Sequence, residues 1–148
     1  DAEICQAVAA NLARVGVKIN LEAETKGTYF PKILTRNTSF YMLGWTASTV
    51  DAHNVLYPIL SSPGEGGRGQ FNLGAYCNPK VDELMIKVQG ETDQAKRNAM
   101  IKEALTITRD EVLVIPLHHQ MRPWAMKKNV TMTHNSNDAP KMYYVTVN

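Results

Sequence analysis

Residues 39–45 read Ser-Phe-Tyr-Met-Leu-Gly-Trp, and this stretch decides the expected fold. Its middle, Phe40 to Leu43, is a nearly continuous apolar and aromatic run. Such a run is typical of a strand that is buried on both faces, as in parallel sheets. The stretch that follows, Thr46 to Val50, indicates a loop at the end of this strand.

The segments around this strand alternate between helical and strand patterns. Before it, residues 2–15 have the period of an amphipathic helix that stops at Gly16, and residues 17–23 alternate apolar and polar side chains like a half-exposed strand. After it, the patterns predict helices at 79–89 and 93–110 and a strand at 112–117. Helices and strands in this order imply crossover connections. The expected fold class is therefore α/β, with a mixed sheet of residues 17–23, 39–45 and 112–117 flanked by helices.

Length and composition fit one ordinary globular domain. The chain has 148 residues, of which 44% are hydrophobic and 20% charged. Its formal net charge is +2 and the charges are interspersed, so no nucleic-acid surface is expected. No apolar run approaches the length of a membrane span. The opening residues, Asp1-Ala2-Glu3, look like the first turn of a helix, which suggests a fragment of a longer protein.

The most informative local feature is the tryptophan at the end of the buried run. In α/β proteins, ligands bind just beyond the carboxyl ends of parallel strands. Trp45 offers a flat apolar surface with one hydrogen-bond donor, which suits a small solute. A tryptophan here could equally fill the core, and both interpretations are open at this point.

Other candidate sites are less well supported by their patterns. Ser48, Asp51 and His53 lie close together, but the G-x-S-x-G turn of many serine hydrolases is absent. Asp51 is better explained as a cap of the following helix, with His53 in its first turn. Adjacent His118 and His119 would point to opposite faces of a strand, and Cys5 and Cys77 lack a metal-type spacing, so no metal site is expected. The glycine-rich residues 61–75 lack the ending of a phosphate loop and are expected to be a flexible surface connection.

Five segments, in a fixed order, carry a family resemblance: residues 4–8, 12–19, 40–45, 76–84 and 114–119, with a helix around Arg97 before the last. Together they resemble the C-terminal part of the family-5 solute-binding proteins of ABC importers. That family includes dipeptide-, oligopeptide- and nickel-binding members. The resemblance covers most of residues 1–120.

The resemblance implies a two-lobed protein of the type II periplasmic-binding fold that closes on its ligand. Residues 1–116 would be the second half of the C-terminal ligand-binding lobe. Residues 117–148 would be a crossing strand and a tail that packs on the N-terminal lobe, which lies outside these 148 residues. Without that lobe the apolar side chains of the tail, residues 121–148, would lack their cover. The chain alone is therefore expected to self-associate through its tail.

The resemblance also implies the function. The protein would be periplasmic, would capture peptides or similar small solutes, and would pass them to an ABC permease in the membrane without catalysis or a cofactor. Trp45 would form a wall of the ligand site, Thr46 and Ser48 would hydrogen-bond the ligand, and Asp51 would cap its helix or contact a ligand cation.

One departure from the family's pattern leaves the ligand class open. Peptide-binding members have an acidic residue shortly after the tryptophan that pairs with the α-ammonium of the peptide, and Ser48 occupies that position here. Either Asp51 substitutes for it, or the ligand is not an ordinary free-amine peptide. Two alternatives are a nickel-type binder of metal chelates in the same family and a hydrolase using Ser48 and a histidine.

Overall fold

The fold was analysed in a computed structural model that describes residues 2–135, 137 and 139–148. The chain divides into two compact units, of which the first ends at Gly44 and the second is Trp45–Asn148. The predicted segments 1–116 and 117–148 include residues 1, 136 and 138, which lie outside the described residues.

Helices dominate both units. The α-helices are α1 (Ala2–Ala13), α2 (Lys26–Leu34), α3 (His53–Val55), α4 (Pro79–Gly90) and α5 (Gln94–Asp110). A π-helical turn, Leu56–Leu60, continues α3, and a 3-10 turn covers Met142–Tyr144. The strands are β1 (Val130–Thr131) and β2 (Thr146–Val147).

The predicted sheet of residues 17–23, 39–45 and 112–117 is not formed, so these strand predictions are wrong, although the described helices and two-stranded sheet are compatible with part of a lobe of the expected fold. Within the described ranges, the strands are β1 and β2, which pair antiparallel with Val130 opposite Val147. Residues 17–23, 39–45 and 112–117 belong to no strand. A strand is stable only when neighbours satisfy its backbone groups, and these segments are not paired with one another.

In the first unit, a tyrosine takes the place of a neighbouring strand. The hydroxyl of Tyr29, on α2, donates to the carbonyl oxygen of Met42 over 2.7 Å and accepts from the Met42 N–H over 3.2 Å. Burial raises the pKa of this hydroxyl above its ordinary value, although the bond to Met42 opposes that shift. The backbone hydrogen-bonding groups of Met42, in the middle of the predicted strand, are thus satisfied by the side chain of Tyr29.

Helix α1 confirms the helix predicted over residues 2–15. Its half-buried side chains follow one face: Ile4, Cys5, Val8, Ala9 and Leu12. The helix ends at Ala13 and is followed by a turn in which Gly16 takes a φ of +87°, a conformation that glycine adopts without a steric penalty. Cys5 and Cys77 are free thiols, and the Sγ atom of Cys5 lies 3.3 Å from the Sδ atom of Met42. Cys77 is exposed.

Helices α4 and α5 confirm the two helices predicted downstream, and they carry the core of the second unit. Asn78 caps α4 by accepting from the N–H groups of Lys80 and Val81, and Asp93 caps α5 in the same way. The apolar stripes of the two helices pack on the π-helical turn. The buried core consists of Leu56, Leu60, Val81, Leu84, Met85, Val88, Ile101 and Ala104.

The π-helical turn contains Pro58, which explains its width. Proline has no N–H, and its ring collides with the carbonyl four residues earlier, here that of Asn54. A wider turn relieves this collision. It leaves Leu56 and Leu60 both buried in the core.

The tail forms a small hairpin-like element. Besides the β1–β2 pair, the N–H of Asn148 donates to the carbonyl oxygen of Asn129 over 2.9 Å. The rings of Trp124 and His134 meet edge to face at 5.4 Å. Several apolar side chains of the tail remain exposed, with Met121 at 84%.

Candidate functional site

The segment after Gly44 contains all four predicted site residues. Trp45 to Val50 lie outside helices and strands and lead into α3. Trp45 remains 39% exposed, so it does not simply fill the core. An aromatic ring that is partly open to solvent can still contact a ligand.

Asn54 holds this segment in shape. Its Oδ1 atom accepts from the Ser48 N–H over 3.1 Å and from the indole N–H of Trp45 over 3.4 Å. Its Nδ2 group donates to the hydroxyl oxygen of Ser48 over 2.9 Å. One amide therefore fixes both ends of the turn from Trp45 to Ser48. Asn54 is the second residue of helix α3, which fixes the position of its backbone.

Thr46 is tied to the tail. Arg122 donates from Nη2 to the hydroxyl oxygen of Thr46 over 3.1 Å. Because the hydroxyl oxygens of Thr46 and Ser48 both act as acceptors here, each can still donate its own hydrogen. The segment thus presents two neutral donors beside an indole ring.

Asp51 is engaged by groups of the protein itself. Its Oδ1 atom accepts from the N–H of His53 over 2.9 Å, at the start of α3, and its Oδ2 atom lies 2.6 Å from the Nη2 atom of Arg97 on α5. Burial alone would raise the pKa of the Asp51 carboxyl. The hydrogen bond from His53 and the Arg97 guanidinium outweigh it and lower the pKa below its ordinary value. The carboxylate therefore stays ionised and links α3 to α5.

The His53 ring contacts Met85 and Tyr57. Its Nε2 atom lies 3.2 Å from the carbonyl oxygen of Met85, and its ring stacks on Tyr57 with centroids 5.0 Å apart. A serine nucleophile needs a hydrogen-bonded base. Among the hydrogen bonds of the described residues, none joins Ser48 to a histidine.

Phe71 completes the surroundings of Trp45. The ring centroids of Trp45 and Phe71 are 5.2 Å apart and the ring planes are tilted by 58°. The two residues are 26 positions apart in the sequence (71 − 45). The backbone N–H of Phe71 donates to the carbonyl oxygen of Pro58 over 2.8 Å, which attaches it to the π-helical turn.

The glycine-rich residues 61–75 form a surface connection that contains several internal contacts, and its flexibility stays a prediction. Buried Asn72 donates to the carbonyl oxygens of Ser61 and Tyr76 over 2.8 and 2.7 Å. Gly69, with a φ of +59°, lies so close to Ser61 that a Cβ atom would come within 2.5 Å of the Ser61 oxygen. Tight backbone packing, which only glycine permits, explains the composition of this loop.

The sequence analysis missed Asn54 and Phe71. Asn54 carried one readable signal, since a polar side chain in the first turn of a helix often bonds the preceding loop. Phe71 carried none, because its contact with Trp45 depends on how residues 61–75 fold. Trp45, Thr46, Ser48 and Asp51 do come together in one segment, but Asp51 points to Arg97.

Outside the segment around Trp45, the described residues form a groove on helix α5. A shallow groove of about 390 Å³ runs along α5, lined by Asn98, Ile101, Lys102, Leu105, Thr106 and Arg109. No group of three or more His, Cys, Asp or Glu side chains that could hold a metal occurs among the residues described. In the same part of the chain, no helix combines the length and the apolar character needed to cross a bilayer.

Comparison with known proteins gives three representative relatives. A dipeptide-binding protein of Pseudomonas aeruginosa is 24% identical over 127 residues, which are 86% of this chain and 23% of that protein. A peptide transport periplasmic protein of Salmonella typhimurium is 24% identical over 123 residues, or 83% of this chain and 22% of that protein. A glutathione-binding protein of Pectobacterium atrosepticum is 28% identical over 107 residues, or 69% and 21%.

These relatives are much longer than the chain, which spans less than a quarter of their length. No protein-family model matches the chain. No solved structure matches it either. The similarity therefore rests on sequence, and it recurs in several peptide-binding proteins over about the same share of this chain. The resemblance of the chain to the family-5 solute-binding proteins, indicated by its sequence segments, is thus confirmed.

Proposed function

We propose that the chain is part of a solute-binding protein that captures peptides or similar small solutes for an ABC permease in the membrane. The protein would work in the periplasm, and the chain would contribute to the C-terminal lobe of a type II periplasmic-binding fold. Residues 117–148 would pack on the other lobe. Relatives named as peptide-binding and periplasmic proteins support this proposal.

The observation that carries the proposal is the fixed, half-exposed position of Trp45. Asn54 engages the only polar group of the indole, so the ring face is the surface left for a ligand. Binding sites of this kind combine apolar walls with a few fixed polar groups. We assign Trp45 as a wall of the solute site on this basis.

Thr46 and Ser48 would supply the polar contacts. Each hydroxyl oxygen already accepts one bond, which leaves its hydrogen to donate to a carbonyl of the solute. Peptide groups offer such carbonyls. We give Asp51 a structural role, because Arg97 already compensates its charge.

Calorimetric titration of the full-length gene product tests the proposal. The solute that co-purifies with the protein, identified by mass spectrometry, is the ligand for the titration, together with a panel of short peptides. We expect Trp45→Ala to weaken binding at least about tenfold, or ~1.4 kcal/mol. Asn98→Ala, an exposed asparagine on α5, is the control and should leave the affinity unchanged.

Measurements of ligand binding and of substrate turnover distinguish a binding protein from a hydrolase. A solute that stabilises the protein against heat and is recovered unchanged supports binding. Hydrolysis of peptide or ester substrates by the purified protein would instead support the alternative with Ser48. If no peptide-like solute binds at all, the proposed function is wrong.

A further inference from the structure

We infer that Phe71 is a specificity-determining residue of the solute site, and that Trp45 and Phe71 together receive an apolar, preferentially aromatic, side chain of the solute. This inference rests on the proposed function. It adds a residue from a different loop and a chemical class of solute.

The two rings contact each other at an angle, and both side chains remain partly exposed. Their centroids are 5.2 Å apart and their planes are tilted by 58°, so they meet at an angle and are not stacked face to face. Phe71 has no polar atom in its side chain, and the indole N–H of Trp45 already bonds Asn54. A polar group placed against both rings would lose its water without gaining a partner, whereas an apolar group would gain contact area.

Both rings are attached to one continuous helical segment, made of α3 and the π-helical turn that follows it. Trp45 is held by Asn54 at the start of α3. The backbone N–H of Phe71 donates a hydrogen bond to the carbonyl oxygen of Pro58. The next residue, Asn72, is buried and donates to the carbonyl oxygens of Ser61 and Tyr76. Two rings attached to the same helical segment can discriminate by shape, because little ordering is needed when the solute binds.

The neighbouring hydroxyl groups match the rest of such a solute. Thr46 and Ser48 lie one and three residues after Trp45, and each hydroxyl can still donate a hydrogen bond. A backbone carbonyl bound by a hydroxyl, next to a side chain bound by two rings, is the pattern of a peptide with an apolar residue. Aromatic pairing contributes beyond burial alone, so an aromatic residue should bind better than alanine.

The test is calorimetric titration of the full-length gene product with matched peptides. The probes are Ala-Phe-Ala and Ala-Ala-Ala, each with a free and an acetylated amino terminus. We expect the phenylalanine peptide of a pair to bind about fivefold more tightly, on the scale of one aromatic contact. In Phe71→Ala that preference should disappear. Ile86→Ala removes an exposed apolar side chain of α4 and should leave the preference intact.

Phe71→Leu covers the case in which Phe71→Ala fails to fold, since it keeps an apolar side chain of similar size. It should lower the preference about twofold or more. If the wild-type protein binds the peptides but shows no preference, or if either folded variant keeps it, the inference is wrong and the proposed function stands. If the wild-type protein binds none of the four peptides, the capture of peptides is wrong and the inference falls with it.

Discussion

The Oδ2 atom of Asp51 lies 2.6 Å from the Nη2 atom of Arg97, and this ion pair joins the segment after Trp45 to helix α5. The side chains are 32% and 20% exposed, so the pair is better shielded from water than an ordinary surface ion pair. Asp51, the acidic residue nearest to Ser48 in the sequence, is therefore engaged by other groups of the protein.

Arg97→Ala should lower the free energy of unfolding by about 1 kcal/mol at pH 7, because it leaves the Asp51 carboxylate without its cation. Lys80→Ala breaks an exposed pair between α4 and α5, at 3.3 Å from Glu103, and should cost less than about 0.5 kcal/mol. Urea unfolding measures both. The difference for Arg97→Ala should shrink as the pH falls below 3.8 and through the lowered pKa of Asp51. Equal losses in the two variants would contradict the structural role of the pair.

Gly69→Ala should destabilise the protein by about 2 kcal/mol or more. The residue has a φ of +59°, and a Cβ atom would lie 2.5 Å from the Ser61 oxygen and 2.6 Å from the Pro63 nitrogen. Gly74→Ala, in the same loop, has nothing within 4 Å of its Cβ position and should change stability by less than about 0.5 kcal/mol. Thermal or urea unfolding compares the two. A neutral Gly69→Ala would show that residues 61–75 are not tightly packed.

The hydrogen bond from Tyr76 to Glu111 should make stability fall at alkaline pH. Burial and this bond raise the pKa of Tyr76 from 10.0 to about 12. A raised pKa means that the neutral hydroxyl is favoured in the folded state, so its contribution is complete below pH 10 and is lost as the pH rises toward 12. The difference in unfolding free energy between the wild type and Tyr76→Phe should therefore narrow over this interval. A constant difference from pH 8 to the alkaline limit would contradict the bond.

Simple free-amine dipeptides should bind the full-length gene product weakly or not at all. The resemblance to peptide-binding members of the family implies a carboxylate at the position of Ser48, and serine cannot pair with the ammonium group of a dipeptide. Asp51 is paired with Arg97 and is not free to replace it. Ser48→Asp should strengthen the binding of such dipeptides, because it supplies a partner for the ammonium. Calorimetry decides the question. Submicromolar affinity of the wild type for several dipeptides would contradict this prediction.

These 148 residues, expressed alone, should self-associate through the tail. Met121, Met142 and Tyr143 are 84%, 68% and 72% exposed, and the β1–β2 pair is short. Exposed apolar side chains beside a strand edge favour pairing with a second copy. Sedimentation of the chain with and without residues 121–148 measures this. A monomer at all concentrations would show that the tail packs on its own unit.

Sequence reasoning succeeded where local signals decide structure. The caps at Asn78 and Asp93 and the apolar stripes of α4 and α5 lie within a few residues of one another, and both helices formed as expected. The strands failed because a strand depends on partners far away in the chain, and here Tyr29 satisfies Met42. The hydrophobic pattern alone could not reveal that competition.

The candidate site itself stays a prediction, and only part of its local geometry could be read from the sequence. Trp45, Thr46 and Ser48 stand out because a polar segment follows an apolar run. Phe71 could not be found, since its contact with Trp45 depends on the folding of a loop whose glycines suggested flexibility. The two possible roles of Asp51 could be separated only once Arg97, far along the chain, was seen beside it.

The double hydrogen bond of Tyr29 also bears on how residues 39–44 could enter a sheet. The hydroxyl group occupies one donor and one acceptor of Met42, which are the same two groups that an adjacent strand would use. If a strand replaced the Tyr29 hydroxyl, Met42 would keep the same number of hydrogen bonds. The net change in hydrogen-bond free energy would therefore be small. The driving force would come from the burial of Phe40 and Leu43, now 62% and 37% exposed. The Tyr29 hydroxyl thus satisfies the Met42 backbone until a neighbouring strand takes over the same two hydrogen bonds.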